Sequence, residues 1–267
     1  VTAFSQRSNQ GRGGAGSRWL DATALCAYSV IVLLPLLWLA ARFLYGVVQG
    51  AVPVTVSSRS LNLLLDSLLQ AGLVAVAVAT IGTLAALRLW RWHGPLSRRL
   101  RWLPLAYLAV PGYVHALAWS RIGEALGAAP VLPAAVATWW VQVMSLLPIG
   151  VGLALVGLRT IDHRLVDAAR QGGTDLRTLR RVILPLASPH IVAAAALVFV
   201  LEISDYTIAS LYQSGVYALE IFAEFSASHD PLSAFATALP LLLTAAVVLT
   251  MVQPYIDRTA TARGRGD

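Results

Sequence analysis

Few residues of this chain carry chemistry, and they are unevenly placed. Glu202 and Asp205 stand three apart in an apolar run, so on a helix they share one face. A carboxylate inside a membrane is costly, and lining a path for a cationic solute is one use that offsets the cost. The competing reading is structural: Glu202 pairs with Arg42 or a backbone group at a helix interface, or both acids reach the outer surface. Asp66, near the end of another apolar run, reads as structural or interfacial. His93, His115, His163, His190 and His229 never pair at four-residue spacing. No zinc-protease pattern, serine-nucleophile pattern or Gly-rich phosphate loop occurs. Ser228, His229 and Asp230 are sequence neighbours, and a triad needs spatial convergence instead. The single Cys26 allows neither an internal disulfide nor a thiolate cluster. No catalytic residue, metal site or cofactor is expected.

What remains is a polar interval, Leu158 to Pro189. It holds Arg159, Arg164, Arg170, Arg177, Arg180 and Arg181, with Asp162, Asp167 and Asp175 among them. His163 to Arg170 reads as a helix, with Asp162 as its N-cap and Asp167 in its early turns. Gly172 and Gly173 break it. Thr174 or Asp175 can cap a second short helix, Leu176 to Ile183. Pro185 and Pro189 should end that helix and set the entry to the next apolar run. The small Ala168 and Ala169 permit close approach by another surface. A helix, a glycine break and a helix at a membrane surface suit insertion into a groove of another protein. An amphipathic surface helix resting on lipid headgroups is the alternative.

The elements that hold this interval follow from composition. Hydrophobic residues make up 57% of the chain and charged residues 12%, about half the share usual in soluble domains. An integral membrane protein is implied. Lipid offers the backbone no partners, so the spans are helices. Six are expected: about Ala24–Val48, Leu63–Leu87, Trp102–Trp119 (started or kinked by Pro104 and Pro111), Ala134–Leu158, Ile191–Leu211 and Ser233–Val252. Residues 1–22 form a tail expected to be disordered, residues 23–256 the membrane domain with the polar loop at 159–189, and residues 257–267 a second polar tail. Gln49–Ser60 and Tyr212–Leu232 read as outer loops, the latter a docking face for a binding protein or a packed helix. Gly46-xxx-Gly50 and Gly123-xxx-Gly127 are weak small-residue signals.

All the basic charge is arginine, and 17 of the 20 arginines fall on the face with both termini and the polar loop. Arg42, Arg59 and Arg121 fall on the other. This positive-inside bias places the termini and the loop in the cytoplasm. It also accounts for the net charge of +7 without a nucleic-acid partner.

Asp167-Ala168-Ala169, then Gly172 or Gly173, then Val182-Ile183-Leu184-Pro185, resembles the EAA motif of ABC importer permeases. That motif lies in a cytoplasmic loop two spans before the C-terminus, as here. Asp167 replaces the usual Glu, and the spacing to Pro185 is one residue short of the commonest. Aligned from Pro185 the motif glycine is Gly172; aligned from Asp167 it is Gly173. The resemblance covers about Leu61 to Ile256. NLLLDSLLQAG and LPLAYLAVPGYVHALAW look like the ferric-iron, thiamine and spermidine branches.

The resemblance implies an all-α, six-span, type I (MetI-like) permease fold in a bacterial inner membrane. It implies a coupling role for Asp167, Ala168, Ala169, Gly172, Gly173, Arg177 and Pro185, with ATP hydrolysis in a separate ATP-binding subunit dimer. It also implies a second permease domain, either a homodimer mate or a paralogue. A periplasmic or lipoprotein substrate-binding protein would deliver the solute. Ferric iron is the first substrate expectation; thiamine, polyamine or phosphonate are the alternatives. The competing classes are a carrier without an ATPase and an intramembrane enzyme.

Overall fold

The computed structural model describes residues 15–50, 58–92, 94–127, 133–171 and 173–263. By internal contact the chain divides into two units, Val1–Thr55 with Asp230–Ala236, and Val56–His229 with Thr237–Asp267. All regular structure among the described residues is helical.

The first unit is built on α1 (Ala15–Val48), which is apolar and exposed along its length. Phe43 is its buried hydrophobic side chain and meets Phe235 edge-to-face, ring centroids 5.6 Å apart. The helix begins inside the expected disordered tail of residues 1–22. The cause is local: Ala15–Ala22 contains no proline, and extending an existing helix costs far less than starting one.

The second unit opens with α2 (Ser58–Arg91), followed by α3 (Pro95–Leu100), α4 (Leu103–Leu108) and α5 (Gly112–Ala125). Most of the expected outer loop before α2, residues 51–57, lies outside the described residues. Arg101 folds the α3 segment back onto α2. Its Nη2 donates to the carbonyls of Leu89 at 3.0 Å and Trp92 at 3.3 Å, serving acceptors the helix end leaves open. The expected third span is divided: Pro104 sits in the first turn of α4, and Pro111 precedes the first residue of α5 in extended conformation. Among the described residues five helices are long and apolar enough to cross a membrane, and the α4–α5 pair stands in the place of the third span.

Next come α6 (Ala134–Arg159), α7 (His163–Gln171) and α8 (Asp175–Thr178), a π-helical turn at Leu179–Ile183, and α9 (Leu184–Ser204). Pro185 was expected to end a helix, yet α8, the π turn and α9 run on as one path. The Leu184 N–H reaches back five residues to the Leu179 carbonyl. This wider ring accommodates a proline that lacks a donor and would crowd an ordinary turn. The fifth span is correspondingly shifted. It stops at Ser204 rather than Leu211, and α10 (Thr207–Leu211) follows a break. Then α11 (Tyr217–Ser228) fills most of the expected outer loop, and α12 (Pro231–Arg263) continues through the start of the expected polar tail at 257–267.

Helices α2, α6 and α9 pack on one another as the core of this unit. Their crossing is set by missing side chains. A Cβ on Gly82 would lie 2.7 Å from the Gly150 carbonyl carbon, and one on Gly150 would lie 2.6 Å from the Val78 carbonyl oxygen. Four residues beyond each glycine stand Ala86 and Ala154, both buried. These two small-xxx-small pairs bring α2 and α6 into backbone contact, the form of packing that lipid-embedded helices favour. Gly157 does the same on α9, where its Cβ would meet that of His190 at 2.8 Å.

Candidate functional site

The polar interval forms a compact base at the arginine-bearing end of the second unit. Ile161, Val166 and Ile183 are buried there with Ala86 and Leu87 of α2 and Ala154, Leu155 and Leu158 of α6. Apolar residues placed between arginines thus plug the loop onto the helix ends. Asp162 accepts the Arg164 N–H on Oδ1 at 2.9 Å, the N-cap expected for α7. His163 stacks on Trp90 of α2, centroids 5.7 Å apart and planes 5° from parallel. Across the glycine break, Arg170 Nε lies 3.4 Å from Asp175 Oδ1. Thr174 accepts the Arg177 N–H and caps α8.

With Val166 facing inward, α7 turns the rest of its surface outward. Leu165, Asp167 and Ala168 are exposed and Ala169 is partly so. Leu165, Ala168 and Ala169 recur at the three- and four-residue spacing of one helix face. Arg177 and Pro185 are exposed as well. Gly173 is partly buried, and a Cβ there would meet the flexible Arg177 chain at 3.2 Å. Gly172 lies outside the described residues. The arrangement is a short helix held rigidly from beneath and presenting small and apolar side chains between charged ones.

The second expected pair does not share a helix face. Glu202 lies in the last turn of α9 rather than at mid-membrane, and is 5% exposed. Asp205 leaves the helix: its backbone is extended, and its Oδ1 accepts the Thr207 N–H at 2.9 Å, capping α10. An Asp three residues before a Ser/Leu-rich run is a capping signal as much as an acid on a face, and here the cap prevails. Ion pairs among the described residues include Arg121–Glu124 and Arg170–Asp175, and Glu202 pairs with no described arginine. No group of three or more His, Cys, Asp or Glu among the described residues could hold a metal ion.

One polar feature escaped the sequence. Gln70 Nε2 donates to Gln142 Oε1 at 2.7 Å, joining α2 to α6, and Gln142 is 1% exposed. The signal was present as single glutamines in two otherwise apolar runs. Glutamine carries no charge, so neither residue stands out by the cost of its burial as an acid or base does.

Comparisons with known proteins agree with this geometry. No protein-family model matches the chain. The spermidine/putrescine transport system permease protein PotC of Escherichia coli K12 is 28% identical over 219 residues, 76% of this chain and 79% of that protein. Its counterpart in Haemophilus influenzae is 26% identical over 204 residues, 70% of this chain and 77% of its own. Among solved structures, an inward-facing MetNI methionine ABC transporter superposes with a TM-score of 0.62, covering 76% of this chain and 99% of that one at 14% identity. A bacterial ABC transporter that imports the acidic polysaccharide alginate superposes at 0.61, covering 92% and 96% at 14% identity.

At such identities the structures establish the fold, and the fold is that of ABC permease subunits. The ferric-iron expectation finds no support, because the curated relatives carry a polyamine name. Subunits of this kind are not enzymes; the ATPase resides in a separate chain, and a substrate-binding protein works with them. The long apolar helices, the exposed α7 on its plugged base and these relatives together make the chain similar to the permease subunits of ABC importers, with their fold.

Proposed function

We propose that this chain forms half of the translocation path of a polyamine importer and is driven through α7 by an ATP-binding subunit. The observation that carries the coupling part is the disposition of α7. Val166 anchors it, while Leu165, Asp167 and Ala168 face outward. A surface of small and apolar residues beside Asp167, rimmed by Arg164 and Arg170, fits a cleft in a partner protein better than a headgroup layer. The basic rim would serve headgroups equally, but headgroup binding also calls for several large apolar side chains to bury, and this face offers Leu165 and two alanines. Asp167, Ala168 and Ala169 make the contact, Gly172 and Gly173 supply the glycine of the motif after it, and Arg177 and Pro185 lie on the path that carries motion into α9. The loop and both termini are on the cytoplasmic side, in keeping with the arginine distribution. A second permease domain completes the channel. Asp205 shapes the break at the end of α9, and Glu202, buried beside it, is a carboxylate that an opening of the α9 end would bring to the path.

The polyamine reading is supported by the names of the relatives and by the scarcity of metal-type donors among the described residues. The test is uptake of labelled spermidine into proteoliposomes holding the permease, its ATPase and its binding protein. ATP-dependent accumulation is expected. Accumulation of another solute class, with no spermidine or putrescine transported, rejects this reading of the substrate.

A further inference from the structure

At the end of the second unit remote from the arginine-rich base, on the face that carries Arg59 and Arg121, lies an open cleft of about 620 Å³ between α2, α6 and the segment joining α10 to α11. Its apolar walls include Leu69, Leu73 and Val136; its polar lining is Asp66, Gln70, Trp139 and Ser214. Asp66 and Gln70 are four apart and share a face of α2. Gln70 is some 27 Å along the helix from Arg88, so the cleft opens near the other membrane surface.

The walls are held in place. Tyr212 donates its hydroxyl to the Ala116 carbonyl at 3.0 Å, and the Tyr217 N–H donates to the buried Ser67 hydroxyl at 2.8 Å. Between these pins, Gly215 lies so close to α2 that a Cβ would stand 3.1 Å from a Leu63 methyl. The Ser214–Gly215 segment is therefore fixed over the Asp66 end of the cleft.

The polar groups are unfinished. Gln142 Nε2 is buried and has no partner, and neither has the buried Trp139 indole N–H. Both are donors, which a bridging water satisfies and an ammonium does not, so they mark this wall as one that water reaches, and the groups that could hold a cation are the acceptors beside them. The Gln70–Gln142 bond leaves Gln70 Oε1 as an acceptor toward the cleft. With Asp66 this gives two acceptors beside an indole ring, on an apolar floor. One carboxylate and one amide are too few oxygens for a bare multivalent cation. They suit an ammonium group, whose three N–H donors need acceptors, whose charge favours an aromatic face, and whose alkyl chain favours the leucines.

We propose that Asp66, Gln70 and Trp139, beneath the Ser214–Gly215 segment, form a subsite for the ammonium end of a linear aliphatic polyamine. This rests on the polyamine reading above and gives it a place in the chain. It also reassigns Asp66 from a structural to a ligand-binding residue. Asp66 is exposed within the cleft, so replacing it leaves the helix packing intact.

The test is equilibrium binding of labelled spermidine to the permease–ATPase complex in nanodiscs, without the binding protein, alongside the uptake assay. Saturable binding is expected, weakened roughly tenfold or more by Asp66→Asn and recovered by Asp66→Glu, as loss of a charge-assisted hydrogen bond predicts. Where Asp66→Asn yields too little complex, Gln70→Leu and Trp139→Leu are read the same way. If the wild type takes up spermidine but shows no saturable binding, or binds equally well in these variants, the subsite is rejected and the polyamine reading stands. If the wild type transports neither spermidine nor putrescine, both fall.

Discussion

His163 and Trp90 stack within 5° of parallel, tying the first residue of α7 to the last turn of α2. That contact joins the outward-facing helix directly to the longest core helix of the unit. It also gives a route from a partner seated on α7 to the far end of α2, where Asp66 and Gln70 lie.

The stack predicts an uncoupled phenotype. Replacing His163, exposed on α7, with Ala removes about 0.5–1.5 kcal/mol of ring contact, too little to unfold the base held by Val166 and Ile183, whereas Trp90 also packs on that base and is left in place. ATP hydrolysis by the assembled transporter should persist while solute uptake per ATP falls. Measuring both rates in the same proteoliposomes checks this, and a parallel fall in the two would show that the stack only aids assembly.

The α2–α6 crossing should tolerate almost nothing. Gly82→Ala or Gly150→Ala places a methyl within 3 Å of the facing backbone, where no side chain can move aside. Overpacking of this kind costs about 1–3 kcal/mol or more. A lower melting temperature in detergent is expected for each, whereas Gly152→Ala, with nothing within 4 Å, should melt as the wild type does.

Asp205 separates charge from geometry. Its carboxylate caps α10 through the Thr207 N–H, and Asn caps as well as Asp. Asp205→Asn should therefore preserve both stability and uptake, while Asp205→Ala should cost about 1 kcal/mol of stability. If Asp205→Asn alone abolishes uptake, Asp205 acts on the solute as a charge.

Much of this was legible beforehand because membranes simplify the problem. Apolar length identifies a span, arginine bias ranks the two faces, and glycine beside a capping Thr marks the break after α7. What stayed hidden depended on tertiary detail. Pro185 read as a terminator, since nothing in a sequence announces a π turn wide enough to carry it. Glu202 and Asp205 read as one face until the backbone turned between them. The Gly82–Ala86 and Gly150–Ala154 pairs stand in the sequence as plainly as Gly46-xxx-Gly50 and Gly123-xxx-Gly127, the two weak signals named above, and nothing local says which helices touch. The Gln70–Gln142 bond joins residues 72 apart, and no local pattern pairs two lone glutamines.

The central claim is that the exposed face of α7 seats a separate ATP-binding subunit, and a crosslink at Ala168 tests it most directly. Cys26 is the one cysteine, so Cys26→Ser with Ala168→Cys leaves a single thiol on that face. A short thiol-directed crosslinker applied in native membranes, followed by mass spectrometry, should join position 168 to a nucleotide-binding subunit, and Asp167→Arg should abolish the product. Efficient labelling of position 168 with no crosslink to any nucleotide-binding protein would contradict the account.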